Sequence, residues 1–246
     1  MSGADRRAPW MLALARRYVR RRIARGLDGL RVRGLAEARE AARERPLILA
    51  ANHVGWWDSL LVVALDEALG TEGYALMDAD GLRRVPYFAR LGALPLDRSA
   101  PPRMRAGIRA AAGVLDQPGR ALWTFPQGRY RPSHLRPLGF ERGLALLSRL
   151  APDAAILPIS IAYAWGERPG PAALVRFGRV LDPATEVDAD VTALAEDAVA
   201  AGLAEIDTAD AESGWAGWEV VIASRGAAPE QGIGARLLAR GGGAGG

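Results

Sequence analysis

Leu47-Ile48-Leu49-Ala50-Ala51-Asn52-His53-Val54-Gly55-Trp56-Trp57-Asp58 opens on a short apolar run and passes straight into a histidine and then a carboxylate. The run Leu47–Ala51 has the length and composition of a buried strand, and helical periodicity begins at Asp58 and continues to Leu69. Five residues of regular helix turn through about 500°, so His53 and Asp58 would point well apart if both were helical. They need a turn between them. Gly55 supplies the backbone freedom for one, and a carboxylate at a helix N-terminus is favoured by the dipole. In such a turn Asp58 can accept the Nδ1 proton of His53, leaving Nε2 to take a proton from a substrate hydroxyl. Taken alone, the spacing leaves a structural histidine at a strand end as the alternative.

Outward from this stretch the chain alternates. Strand-like segments fall at 30–34, 74–77, 93–96, 121–125, 156–163 and 174–180, and helix-like segments at 85–91, 103–115, 141–150 and 191–206. The alternation predicts an α/β fold: a single domain over 30–212 with a mixed central sheet flanked by helices. It is preceded, over 1–29, by a basic amphipathic N-terminal helix. Trp10, Met11, Leu14, Tyr18, Val19, Ile23 and Leu27 read as its apolar stripe, with Arg16, Arg17, Arg20, Arg21 and Arg25 largely on the other side. This helix reads as a membrane-surface anchor, or as a terminal helix packed on the domain with a solvated arginine face. Residues 213–246 form a C-terminal extension. In it Trp215 and Trp218 precede Val220–Ile222 and call for a packing partner, and the Gly-rich end after Arg240 is predicted disordered.

Half of the 246 residues are hydrophobic, enough for a substantial core, and there is no cysteine. Thiolate nucleophiles, disulfides and Cys-ligated zinc are thereby excluded. The two histidines, His53 and His134, lie far apart with no clustered carboxylates, so no metal site and no bound cofactor are expected. Every basic residue is arginine, and the net charge of +4 hides an asymmetry, because arginines crowd the first forty-five residues. They lack the aromatic interleaving of a nucleic-acid module, so no nucleic acid is expected as a partner. No apolar run approaches the roughly 20 residues needed to cross a bilayer. Arginines also interrupt what would be a secretory core, which predicts a cytoplasmic protein.

With three further blocks the chain resembles the glycerolipid acyltransferase family, which includes lysophosphatidate and glycerol-3-phosphate acyltransferases. Asn52-His53 with Asp58 is similar to that family's NHxxxxD motif. Gly92-Ala93-Leu94-Pro95-Leu96-Asp97-Arg98 resembles its second block, Phe125-Pro126-Gln127-Gly128-Arg129-Tyr130-Arg131 its FPEGTRS block, and Leu157-Pro158-Ile159 its fourth. The resemblance implies an acyltransferase of phospholipid biosynthesis, peripheral on the inner face of the cell membrane, with acyl-CoA or acyl-carrier protein as co-substrate. His53 and Asp58 would be catalytic. Asn52, Arg98, Phe125, Pro126, Gln127, Gly128, Arg129 and Arg131 would bind substrate, with Arg98 on an anionic group of a lipid acceptor. Gln127 departs from the family's glutamate, and Arg129-Tyr130-Arg131 from its Thr-Arg-Ser, so a lysophosphatidate acceptor does not follow. Two alternatives remain: a thioesterase using the same His-Asp pair, and a noncatalytic lipid-binding protein. The oligomeric state is not legible.

Overall fold

Every residue of Leu47–Ala51 is buried, as a strand must be when helices cover both faces of its sheet. The computed structural model describes residues 7–166, 168–186, 190–209 and 215–225. In chain order the elements are α1 (Pro9–Gly26), β1 (Leu30–Arg33), α2 (Leu35–Glu44), β2 (Leu47–Ala51), α3 (Asp58–Leu69), β3 (Glu72–Asp78) and α4 (Ala79–Arg84). They continue through a 3-10 helix (Pro86–Leu91) to β4 (Ala93–Leu96), α5 (Pro101–Ala112), β5 (Arg120–Thr124), α6 (Gly143–Leu150), β6 (Ala155–Ala164), β7 (Ala172–Phe177), α7 (Val191–Asp207) and β8 (Glu219–Ile222).

The strands form one eight-stranded sheet in the order β4-β3-β5-β2-β6-β7-β1-β8. It is mixed: β2 lies parallel to both β5 and β6, whereas β7 runs antiparallel to β6 and β8 antiparallel to β1. Successive side chains of β2 go to opposite faces, as strand geometry requires. Leu47, Leu49 and Ala51 enter a core shared with α1, α2 and α3, while Ile48 and Ala50 enter one shared with α5 and α6. The single α/β domain expected from the sequence, with its N-terminal helix, is therefore the one observed.

Local differences have local causes. The segment 85–91 is a 3-10 helix, because Pro86 opens it and Gly92, at φ 106°, closes it within six residues. The helix expected over 103–115 starts two residues earlier, on Pro101 and Pro102 at its first turn, where a missing N–H costs nothing. β7 ends at Phe177, where Gly178 turns its N–H to the Pro158 carbonyl. Helices α2 and α4 fall where the sequence predicts none. The two C-terminal tryptophans find their partner in the core under α7, with Leu174, Val199 and Leu203. There the Arg31 guanidinium lies 4.6 Å from the Trp215 ring centroid. The Gly-rich end after Arg240 lies outside the described residues. No described helix is long and apolar enough to cross a membrane.

What this topology does for function is to bring the carboxyl ends of β2, β5 and β6 side by side, with Ala50 paired to Thr124 and Ala51 to Ile159. In open α/β sheets that is the edge at which ligands bind.

Candidate active site

Past Ala51 the main chain leaves the sheet while β6 continues to Ala164. Asn52 bridges the gap: its amide Nδ2 donates to the Ile161 carbonyl at 2.9 Å, and its Oδ1 accepts the Ile161 N–H at 2.7 Å. The side chain thus supplies the rung that the departing backbone would have made. Asn52 is buried, with both ends of its amide engaged by Ile161.

Strand alternation decides what surrounds the next residue. Leu49 and Ala51 of β2, Trp123 of β5, and Leu157, Ile159 and Ile161 of β6 all face α1–α3. The residues that continue these rows, His53, Phe125 and Tyr163, therefore emerge together on that side, beside the first turn of α3. The His53 imidazole stacks on the Phe125 ring, centroids 4.1 Å apart and planes at 22°. On another side the Tyr130 ring lies 4.3 Å from it, tilted by 56°.

Asp58 is the first residue of α3 and is fully buried. Its Oδ2 stands 2.7 Å from His53 Nδ1 and also accepts the N–H groups of Val54, at 2.7 Å, and Gly55, at 2.9 Å. The turn demanded by the spacing is thus made, and it is tied by the carboxylate itself. Oδ1 accepts from the Tyr163 hydroxyl at 2.6 Å. Burial, and then the neighbouring Asp58 carboxylate, push the Tyr163 phenol well above its usual range, so it remains a donor.

The loop after β5 closes the site from the other side. Gln127 is buried, with Oε1 accepting the His53 backbone N–H at 2.6 Å and Nε2 donating to the Leu138 carbonyl at 3.0 Å. The Arg131 N–H returns to the His53 carbonyl at 2.8 Å, and the Arg131 guanidinium caps the Leu138 carbonyl at 3.1 Å. Pro126 is buried and its carbonyl accepts the Glu141 N–H at 2.9 Å. Gly128, at φ 63°, closes a turn by donating its N–H to the Phe125 carbonyl. A Cβ there would fall 2.1 Å from Arg98 Nη1. Arg98 uses this closeness to donate to the Gly128 carbonyl at 2.7 Å while pairing with Glu141 at 2.6 Å.

Of the residues singled out in the sequence, His53, Asp58, Phe125, Gln127, Gly128, Arg98 and Arg131 are joined in one connected arrangement. Arg129 stands exposed on the same loop, with no ion pair or hydrogen bond among the described residues, and His134 is exposed beyond it. Ser59, the neighbouring hydroxyl, is bound to the Trp56 carbonyl at 2.8 Å. Three contributors were not foreseen. Tyr163 had a signal, since it continues the alternation of Leu157, Ile159 and Ile161. Tyr130 lay within the 125–131 block without being given a role, and Glu141 had no signal.

The family model described as Acyltransferase matches residues 30–162. That span runs from β1 through most of β6 and contains His53, Asp58 and the whole 125–131 loop. No curated protein matches the chain.

Proposed function

The chain belongs to the acyltransferase family, and from that premise we propose that it moves a fatty acyl group from a thioester, acyl-CoA or acyl-carrier protein, to a hydroxyl of a lysophospholipid or related amphiphile. The observation that carries this reading is the 2.7 Å contact between His53 Nδ1 and a buried Asp58 carboxylate. With the Nδ1 proton held by Asp58, Nε2 keeps its lone pair. It takes the proton of the acceptor hydroxyl as that oxygen bonds to the thioester carbon. The tetrahedral intermediate then collapses, the C–S bond breaks, and the imidazolium returns the proton to the departing sulfur. No acyl-enzyme is required, in keeping with a chain without cysteine and a Ser59 hydroxyl held by Trp56.

The arginines divide the remaining work. Arg98 and Arg131 already hold the 125–131 loop through Glu141 and the Gly128 and Leu138 carbonyls, which leaves Arg129 as the cation freest to meet an anionic acceptor group. A lipid acceptor also gives α1 a purpose at the membrane surface, on the cytoplasmic face. Trp10, Leu14 and Tyr18 are 66%, 61% and 56% exposed.

Thiol release from acyl-CoA and from acyl-carrier protein, with and without a lipid extract, tests the reading. Release that depends on added lipid, with a new acylated species, is expected for the wild type and is lost in His53→Ala. Equal rates for the two proteins would overturn the role of His53, and release independent of lipid would make the enzyme a thioesterase.

A further inference from the structure

A carboxylate that orients a histidine must itself be oriented. Asp58 Oδ2 collects the imidazole and two backbone amides from residues 53–55, all within its own turn. Those donors fix one oxygen and leave the carboxylate plane free to pivot about it. The second oxygen, Oδ1, meets a group from across the sheet, the Tyr163 hydroxyl on β6. Tyr163 is in turn placed by Asn52, whose amide grips Ile161, two residues back along the same strand. Asn52 is the neighbour of His53 in sequence. The contacts therefore close a ring: Asn52 to Ile161, along β6 to Tyr163, across to Asp58, and back through Nδ1 to His53.

We propose that Tyr163 is a positioning residue of the catalytic pair, setting the plane of the Asp58 carboxylate and through it the direction of His53 Nε2, with Asn52 fixing Tyr163 from the other side of the ring. The proposal rests on the His53–Asp58 reading above. The reason a second anchor is needed is the burial of Asp58, which is without solvent exposure. Without the phenol, Oδ1 would be a buried acceptor lacking a partner, and the carboxylate would rotate to relieve it. Rotation carries Oδ2 away from Nδ1. Neither Tyr163 nor Asn52 touches substrate in this scheme, so both act on turnover and not on binding.

Tyr163→Phe removes the hydroxyl and keeps the ring. The expected result is a kcat lower by ~10-fold, the worth of one hydrogen bond, with KM for thioester and acceptor unchanged. The chain has only two histidines, and His134 is exposed, so the imidazole resonances of ¹⁵N-histidine-labelled protein separate into one buried-side and one solvated ring. The hydrogen-bonded Nδ1 proton signal of His53 is expected to shift or broaden in Tyr163→Phe, with His134 unmoved. Asn52→Ala should reproduce the kcat loss and the same spectral change. A Tyr163→Phe enzyme with wild-type kcat and an unchanged His53 signal would overturn the proposal, as would a raised KM at constant kcat, which would place Tyr163 against the substrate. The spectrum needs no substrate. If neither the wild type nor any variant turns over a thioester, the acyl-transfer reading fails while the positioning of His53 is still decided.

Discussion

The amide of Gln127 does two things of which a carboxylate could do only one. Its oxygen accepts from the His53 N–H and its nitrogen donates to the Leu138 carbonyl, both in a buried setting. The glutamine that departs from the family's glutamate is a neutral bridge between the His53–Asp58 turn and the 131–139 loop. Gln127→Glu would leave a carboxylate oxygen facing the Leu138 carbonyl, with neither able to donate. A cost of about 1–3 kcal/mol is expected. The glutamate escapes it by protonation, so its folded pKa is raised. The variant should therefore be nearly as stable as wild type at acid pH and lose stability as pH rises through that value. Thermal unfolding at pH 5 and pH 8 checks this, and an equal deficit at both would refute the bridge. At this scale the sequence revealed His53 and Asp58 because their chemistry lies within one turn. It concealed Glu141, whose partner Arg98 is 43 residues away.

At the scale of elements, α1 departs most from its sequence reading. Residues four apart on a helix drift by about 40° each step, so a list of apolar residues at i, i+4, i+8 is not one stripe when it is long. Trp10, Leu14 and Tyr18 cover one side, and Val19, Ile23 and Leu27 come round to nearly the opposite one. In the structure Val19, Ile23 and Leu27 are buried against α3 and the sheet, while Trp10, Leu14 and Tyr18 stand in solvent among exposed Arg17 and Arg21. One face thus packs on the domain, and the other is left exposed for the membrane contact proposed above. Arg22, 5.2 Å from the Trp57 ring, ties the C-terminal half of the helix to the turn between His53 and Asp58. Joint substitution Trp10→Ser, Leu14→Ser and Tyr18→Ser should abolish sedimentation with anionic vesicles and leave the unfolding temperature within a degree or two, because solvent-exposed side chains carry little folding energy. Wild-type binding should also weaken with salt, the arginines being screened. Undiminished vesicle binding by the triple variant would remove α1 from the membrane surface. α2 went unseen for a related reason: its buried face is Leu35, Ala38 and Ala42, and alanines give little contrast to a periodicity.

Over the whole molecule, strand alternation carried most of the fold, since the period-2 rows of β2, β5 and β6 already dictate that His53, Phe125 and Tyr163 share a face. Strand order did not follow from it, because register and neighbours are settled by contacts between distant segments. One such contact makes global stability depend on pH. Asp66, two turns along α3 from Asp58, is buried against Gly73 of β3 and binds Trp123 of β5 through Nε1 at 2.7 Å and Thr71 through Oγ1 at 3.2 Å. Burial pushes its carboxyl up to about 7, against the opposing pull of those two bonds and of Arg7 and Arg16. An unfolded aspartate titrates near 3.9. Between the two values the folded protein holds a proton that the unfolded chain has released, so stability falls as pH rises. The contribution is full below about 4 and gone above about 7, and spans on the order of 4 kcal/mol at most. Asp66→Asn keeps an acceptor for Trp123 and Thr71 and carries no charge. Its unfolding temperature should therefore vary less between pH 5 and pH 8 than that of the wild type, and exceed it at pH 8. His53 and Asp58 are untouched, so acyl transfer at pH 8 should persist. Parallel pH profiles of unfolding for the two proteins would show that Asp66 is ionised throughout, and that α3 is held to β3 and β5 by an ion and not by a neutral acid.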